Sequence, residues 1–201
     1  MKLLSDATTP FGRKAAVCAI ERSIAFEEVF VPLDATLDAT NPLRQIPALQ
    51  TADGQLLFDS DVIVWYFNER CPQQPLIPND NKYAVLTRMA LTNGLMETVL
   101  LRTMERRRPD GERSQSFVDK LSDRALRAIA ALNSDAAQLN TEQLNAADIG
   151  TVCALEYADF RFTESWREAA PALAAWHAQV SLRPSFVATR PTRSEPLRLK
   201  R

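Results

Sequence analysis

The stretch Asn41 to Glu69, NPLRQIPALQTADGQLLFDSDVIVWYFNE, leaves few folds open to this chain. Ala48 to Gln50 and Leu56 to Phe58 are short apolar runs, and Asp53-Gly54 between them can take positive φ at both turn positions, a strong hairpin signal. Asp59-Ser60 then offers a side-chain oxygen to the free N–H groups of a helix starting near Asp61. That helix is apolar almost all round, from Val62 to Phe67, so it has to be covered on more than one side.

The segments before it complete an α/β pattern. Lys2 to Ser5 reads as a first strand. Thr9 sits where a helix N-cap belongs, and Pro10 follows at the first helical position, where its missing N–H costs nothing. Phe11 to Ser23 continues that helix, and Phe26 to Val31 gives a second strand. Strand, helix, strand, loop, strand, strand, helix is a thioredoxin-like order around one small sheet. Within the loop, Leu33-Asp34-Ala35-Thr36 is repeated at once as Leu37-Asp38-Ala39-Thr40, a unit far too short for a solenoid and read as coincidence.

Three prolines between Cys71 and Pro78 mark a linker, and beyond it the pattern turns helical. The reading divides the chain into residues 1–79, with the linker at about 71–79, and an all-helical domain over 80–201. One long helix spans roughly Asn81 to Arg107. It ends in Arg106-Arg107-Arg108, which suits either cations at a helix C-terminus or an anion site. A second helix carries an apolar stripe from Phe117 to Leu132. A third begins at Asn145, with Asp148 placed to reach back and Leu144 and Ile149 placed as a hydrophobic staple. Pro171 opens a last clear helix, and Arg190 to Arg201 is a basic tail read as solvated.

Ile46-Pro47 brings chemistry to this scaffold. X-Pro is the one bond that turns cis at modest cost, and a proline opening a strand removes a ladder donor. With that bond cis, Ile46 presents its N–H and C=O as a small unpaired edge, to which an extended peptide can add. The Ser60 hydroxyl and the N–H groups of the following helix suit a carboxylate. Together they describe a site for a short anionic peptide.

These residues resemble a known family. NPLRQIPAL followed by LFDSDVI is similar to the glutathione-binding half of the glutathione S-transferase superfamily, TTPFGRKAAV falls where that family has its catalytic loop, and NAADI where it has a helix cap in its second domain. The resemblance covers nearly the whole chain and is closest to bacterial enzymes and the plant tau type, which carry Ser-Pro-Phe at the start of the first helix. It implies a thioredoxin-like α/β N-terminal domain followed by an all-α domain, and glutathione as co-substrate. The cysteinyl backbone of glutathione would pair with Ile46 beside Pro47. Its γ-glutamyl end would rest on Asp59 and Ser60, its glycyl end near Gln45, with Phe11 bordering the site. A homodimer is implied as well. A glutathione-dependent disulfide or peroxide reductase, and a non-catalytic protein-binding member, use the same scaffold.

A thiol with a reference pKa of about 8.5 is only roughly 3% ionised at pH 7, and making thiolate the majority form takes about 2.7 kcal/mol of preference for the anion. A hydroxyl bonded to a charged acceptor gives about 1.5–3 kcal/mol, and a helix N-terminus adds about 0.3–2. Thr9 is where both converge, at the position of the family's serine, and is the expected activator, with Ser5 in reserve. The alternative is that Thr9 merely caps its helix. Cys18 falls two turns inside the helix and is read as core, and His177, the single histidine, as structural. One histidine without clustered carboxylates argues against a metal. Met96, Leu100 and Met104 are candidates for the wall of an apolar co-substrate pocket, or plain core.

The totals exclude several partners. With 24 basic against 25 acidic residues, nucleic acid is not expected. No apolar run approaches the ~20 residues of a membrane span, and the first apolar segment is too short for a signal peptide. Three widely spaced cysteines without a C-x-x-C read as reduced thiols of a cytoplasmic protein.

Overall fold

A computed structural model of the chain describes residues 1–191. Most of the predicted basic tail lies outside the described residues. The sheet has four strands, β1 (Lys2–Ser5), β2 (Glu27–Phe30), β3 (Ala48–Gln50) and β4 (Leu56–Phe58), in the order β2-β1-β3-β4. β1 runs parallel to β2 and antiparallel to β3, which pairs antiparallel with β4. The parallel pair needs a crossover, and α1 (Pro10–Glu21) supplies it. The hairpin forms as its turn chemistry demands, with Gly54 at a φ of +87°.

Helix α2 (Ser60–Glu69) packs Ile63, Val64 and Phe67 inward with no exposure. It is covered on more than one side, as its composition required, but not all round. Val62 is 46% exposed, and long cations cover the aromatic flank: Arg70 lies 3.2 Å from the Tyr66 ring centroid and Lys82 4.9 Å from that of Trp65. The tandem Leu-Asp-Ala-Thr has no structural repeat behind it. Leu37 is buried and Leu33 exposed, with a single 3₁₀ turn over Ala35–Leu37.

The rest is helical: α3 (Lys82–Arg106), α4 (Gln115–Ser134), α5 (Ala146–Arg161), α6 (Pro171–Val180) and a short α7 (Pro184–Ala188) that the sequence did not signal. Helix α5 is the buried centre of this half and starts as predicted. Asn145 Oδ1 accepts from Ala147 N and Asp148 N at 2.9 and 3.0 Å, and Asp148 Oδ2 accepts from Asn145 N at 2.9 Å. Leu144 and Ile149 are both fully buried beside it. The expected thioredoxin-like sheet followed by an all-α half is the fold the chain adopts.

Candidate active site

Strand register gathers the predicted residues at one end of the sheet. Leu4 of β1 and Phe58 of β4 both stand opposite Ala48, the first residue of β3. The chain therefore leaves β1 toward Thr9, enters β3 through Ile46-Pro47, and leaves β4 into Asp59-Ser60, all at the same edge. The N-termini of α1 and α2 open there too, each with N–H groups that its own helix cannot satisfy.

The Ile46–Pro47 bond is cis, as expected. Among the described residues no backbone hydrogen bond engages Ile46, whereas β3 is paired from Ala48 onward. Asn41, 2% exposed, holds the loop that presents it: Nδ2 donates to Gln45 O at 2.8 Å, and Oδ1 accepts from Leu43 N at 3.0 Å. Gln45 itself is exposed.

At α2 the capping oxygen expected from Asp59-Ser60 comes from Asp59, and the helix starts at Ser60. Asp59, at a φ of +73°, is the N-cap, and its Oδ1 accepts from Asp61 N at 2.7 Å. Ser60 is the first helical residue, 4% exposed, and its hydroxyl has no partner in the described residues. Capping by Asp59 thus leaves the Ser60 hydroxyl available.

Thr9 occupies the N-cap position of α1 but its side chain caps nothing. The reason is packing. A Cβ built on Gly12 would lie 2.7 Å from Thr9 Cγ2 and 2.1 Å from Ser5 Oγ, so the Thr9 methyl faces Gly12, the N3 residue whose N–H a capping oxygen would seek. The hydroxyl is turned away. Asp6 organises the loop instead, its Oδ1 accepting from Thr8 N and Thr9 N at 2.6 Å each. Ser5 is fully buried beneath Gly12, which removes it as a group that could reach a ligand.

Thr9 lines a cleft of about 250 Å³ between the two halves, with Asp6, Arg13, Glu28 and Phe30 on one side and Tyr157 and Thr189 on the other. Phe11 does not line this cleft; it packs half-buried against the core. Nor do Ile46, Pro47, Asp59 and Ser60 line it, so the edge at Ile46 and this cleft are separate surfaces. Met96 is fully buried core, while Leu100 and Met104 are exposed. Burial pushes the Cys18 thiol up to about 12 and that of Cys153 to about 11, which makes both poor nucleophiles.

Two polar clusters behind the site were not foreseen. Lys14 Nζ, fully buried, donates to Asp61 Oδ1 at 2.6 Å and Asn93 Oδ1 at 2.8 Å, and Asn93 Nδ2 donates to Asp61 Oδ2 at 2.7 Å. This ties α1, α2 and α3 together one residue beyond Ser60. Arg13 pairs with Glu156 of α5, and donates to Phe186 O at 3.0 Å and Thr189 Oγ1 at 3.2 Å, which seats the C-terminal segment against the cleft. The one sequence signal for both was Arg13-Lys14, two cations inside an otherwise apolar helix.

Comparison with known proteins agrees with this geometry. The family model for the glutathione S-transferase N-terminal domain matches residues 8–70, and that for the C-terminal domain residues 115–179. YibF, a GST-like protein of Escherichia coli K12, is 29% identical over 202 residues, covering 96% of this chain and 100% of its own length. A glutathione transferase family member from Pseudomonas fluorescens Pf-5, crystallised with bound glutathione, superposes with a TM-score of 0.90 at 35% identity, over 95% of this chain and 98% of that one. The same relative has been crystallised with S-(propanoic acid)-glutathione, with a TM-score of 0.87 at 34% identity, covering 96% of this chain and 100% of that one. A glutathione S-transferase from Methylobacillus flagellatus KT with glutathione bound reaches 0.89 at 34% identity, over 95% and 99% of the two chains. The chain belongs to the glutathione S-transferase superfamily.

Proposed function

We propose that the protein is a glutathione transferase that conjugates reduced glutathione to a small electrophile. The observation that carries this reading is the meeting, at one end of the sheet, of three groups with no partner in the described chain: the Ile46 backbone, the Ser60 hydroxyl and the Thr9 hydroxyl. Each matches one need of the tripeptide. The cysteinyl backbone pairs with Ile46 beside Pro47, the γ-glutamyl carboxylate takes Ser60 and the α2 N-terminus, and Asp59 faces its ammonium. Gln45 stands at the glycyl end, and Phe11 supports the start of α1.

The cysteinyl sulfur then lies toward Thr9, which donates to it. The thiol proton passes to solvent, and the thiolate pair forms the new S–C bond. The electrons of the bond that breaks leave with the departing group, or, in addition to an activated double bond, end as a C–H bond with a proton from water. Neither a metal nor a protein general base is required, since the donor and the helix end together approach the roughly 2.7 kcal/mol needed. Glutathione-bound relatives of 34–35% identity support the ligand, and the S-substituted glutathione in one of them supports alkylation at sulfur. The same reading makes residues 1–79 the glutathione-binding domain and 80–201 the co-substrate domain of a cytoplasmic homodimer; no described helix is long and apolar enough to cross a membrane.

Calorimetry with reduced glutathione tests the site. Ser60→Ala should weaken binding by about 1–3 kcal/mol, the range for a lost hydrogen bond to a charged group, with the fold intact. An unchanged dissociation constant removes Ser60 from the site, and no binding at millimolar ligand removes the function.

A further inference from the structure

The helical half carries a concentration of positive charge that glutathione binding does not use. A second depression, of about 260 Å³, is lined by Arg102, Thr103, Arg106 and Arg107 from the end of α3 and by Phe160, Arg161 and Thr163 from the end of α5. Arg102 is partly engaged: it donates to Glu164 Oε1 at 2.9 Å and Ser122 Oγ at 2.8 Å, yet its Nη1 is buried without a partner in a side chain only 8% exposed. Arg161 Nε is likewise buried and unpartnered. Among the described residues Arg106, Arg107 and Arg161 make no ion pair, whereas Arg108 turns away to Glu105 and Glu112.

Helix C-termini explain why cations collect here but do not neutralise them. Two helix ends contribute about half a negative charge each, and Glu164 one more. Four guanidiniums therefore keep an excess of about two positive charges. Guanidinium is a planar fork that fits a carboxylate with two hydrogen bonds.

This cluster adjoins the Thr9 cleft through one residue. Tyr157, 3% exposed, lines that cleft, and Arg161 lies 5.2 Å from its ring centroid and 4.6 Å from that of Phe160. On the other side of the cleft stand the carboxylates of Asp6 and Glu28, and the cation that lines it there, Arg13, is paired with Glu156, so an anion is favoured toward the arginine cluster.

We propose that the arginine cluster is the anion pole of the co-substrate site: the electrophile carries a carboxylate, held by Arg161 and Arg107, while its reactive carbon lies in the cleft beside Thr9. This rests on the glutathione transferase reading. The conjugate formed is a glutathione whose sulfur bears a carboxyalkyl chain.

Binding of such conjugates tests the proposal without any need for turnover. A series of S-(ω-carboxyalkyl)glutathiones of increasing chain length is titrated by calorimetry, each against its neutral primary amide, and the ratio of affinities is compared within each protein. The wild type should prefer the acid by roughly tenfold at the best chain length, the size of one charge-assisted hydrogen-bonded pair. The ratio should fall to about one in the Arg107→Gln/Arg161→Gln double variant and be partly kept in Arg161→Lys. Should loss of Arg161 disturb folding, Arg107→Gln alone, at an exposed position, should cut the ratio by about threefold. Acid and amide binding alike at every length, or a preference that survives the double variant, overturns the anion pole while tight binding of reduced glutathione leaves the transferase reading standing. If neither reduced glutathione nor any conjugate binds, both fall together.

Discussion

Thr9, Gly12 and Ser5 form a three-residue contact in which the smallest side chain decides what the hydroxyl can do. Because Gly12 has no Cβ, the Thr9 methyl rests against the helix and the hydroxyl points away from the N–H groups it would otherwise cap. Thr9→Ala should therefore change stability by less than about 0.5 kcal/mol, where loss of a real cap costs about 1. Urea denaturation of the two proteins checks this, and a loss of a full kilocalorie would restore the capping role. Gly12→Ala is the converse experiment. Its new methyl would overlap Ser5 Oγ at 2.1 Å and Thr9 Cγ2 at 2.7 Å, with Ser5 fully buried and unable to retreat far. A loss of about 1–3 kcal/mol is expected from overpacking, together with weakened activity through displacement of Thr9. A variant of wild-type stability would mean that the loop adapts freely.

Helix α2 shows the same economy one level up, because the helix that presents Ser60 is anchored by the residue after it. Lys14 brings a fully buried ammonium to Asp61, and Asn93 closes the triangle from α3. Lys14→Met should cost about 2–3 kcal/mol, less than the 3–5 of a wholly buried pair because Asp61 is 37% exposed and screened by water. It should also loosen glutathione binding by freeing the start of α2. Thermal and calorimetric measurements on one preparation test both effects, and full stability would show Asp61 content with water. What could be read from the sequence here follows from distance along the chain. The hairpin, the Asp59 cap, the Asn145–Asp148 box and the cis Ile46–Pro47 depend on residues a few positions apart, whose chemistry is local. Lys14 with Asn93, Arg13 with Glu156, and Tyr157 with Arg161 could not be foreseen. The first two join residues far apart in sequence, and Tyr157 sits in a helix buried on nearly every side, where no periodicity singles out one position. Between the two readings of Thr9, ligand donor or cap, the sequence could not decide, since an N-cap sequence looks the same whether or not the oxygen bonds.

At the scale of the whole molecule, the two halves meet over groups with a stake in pH. His177 of α6 is 6% exposed, sits edge-on to Trp166, and has Glu156 Oε1 at 3.8 Å. Burial lowers its pKa below the ordinary 6.5, against the partial opposition of Glu156. Between the folded and the unfolded pKa the unfolded chain holds more protons, so stability rises with pH through that window and is lost as pH falls below 6.5. As this is the single histidine, His177→Phe should flatten the dependence between about pH 7.5 and 5.5, by at most about 1.4 kcal/mol per pH unit. Equal slopes in denaturation experiments would place the titration elsewhere. The larger claim is that the assembled sheet edge, with two helix ends and the free Thr9 hydroxyl, turns bound glutathione into its thiolate. Thiolate absorbance of bound glutathione, followed against pH in the wild type, Thr9→Ser and Thr9→Ala, tests that most directly. The wild type and Thr9→Ser should titrate about two units below the free thiol's reference of about 8.5, and Thr9→Ala about one to two units higher than the wild type. A bound thiol that titrates as it does in water, or one whose lowered pKa survives Thr9→Ala unchanged, would contradict the account.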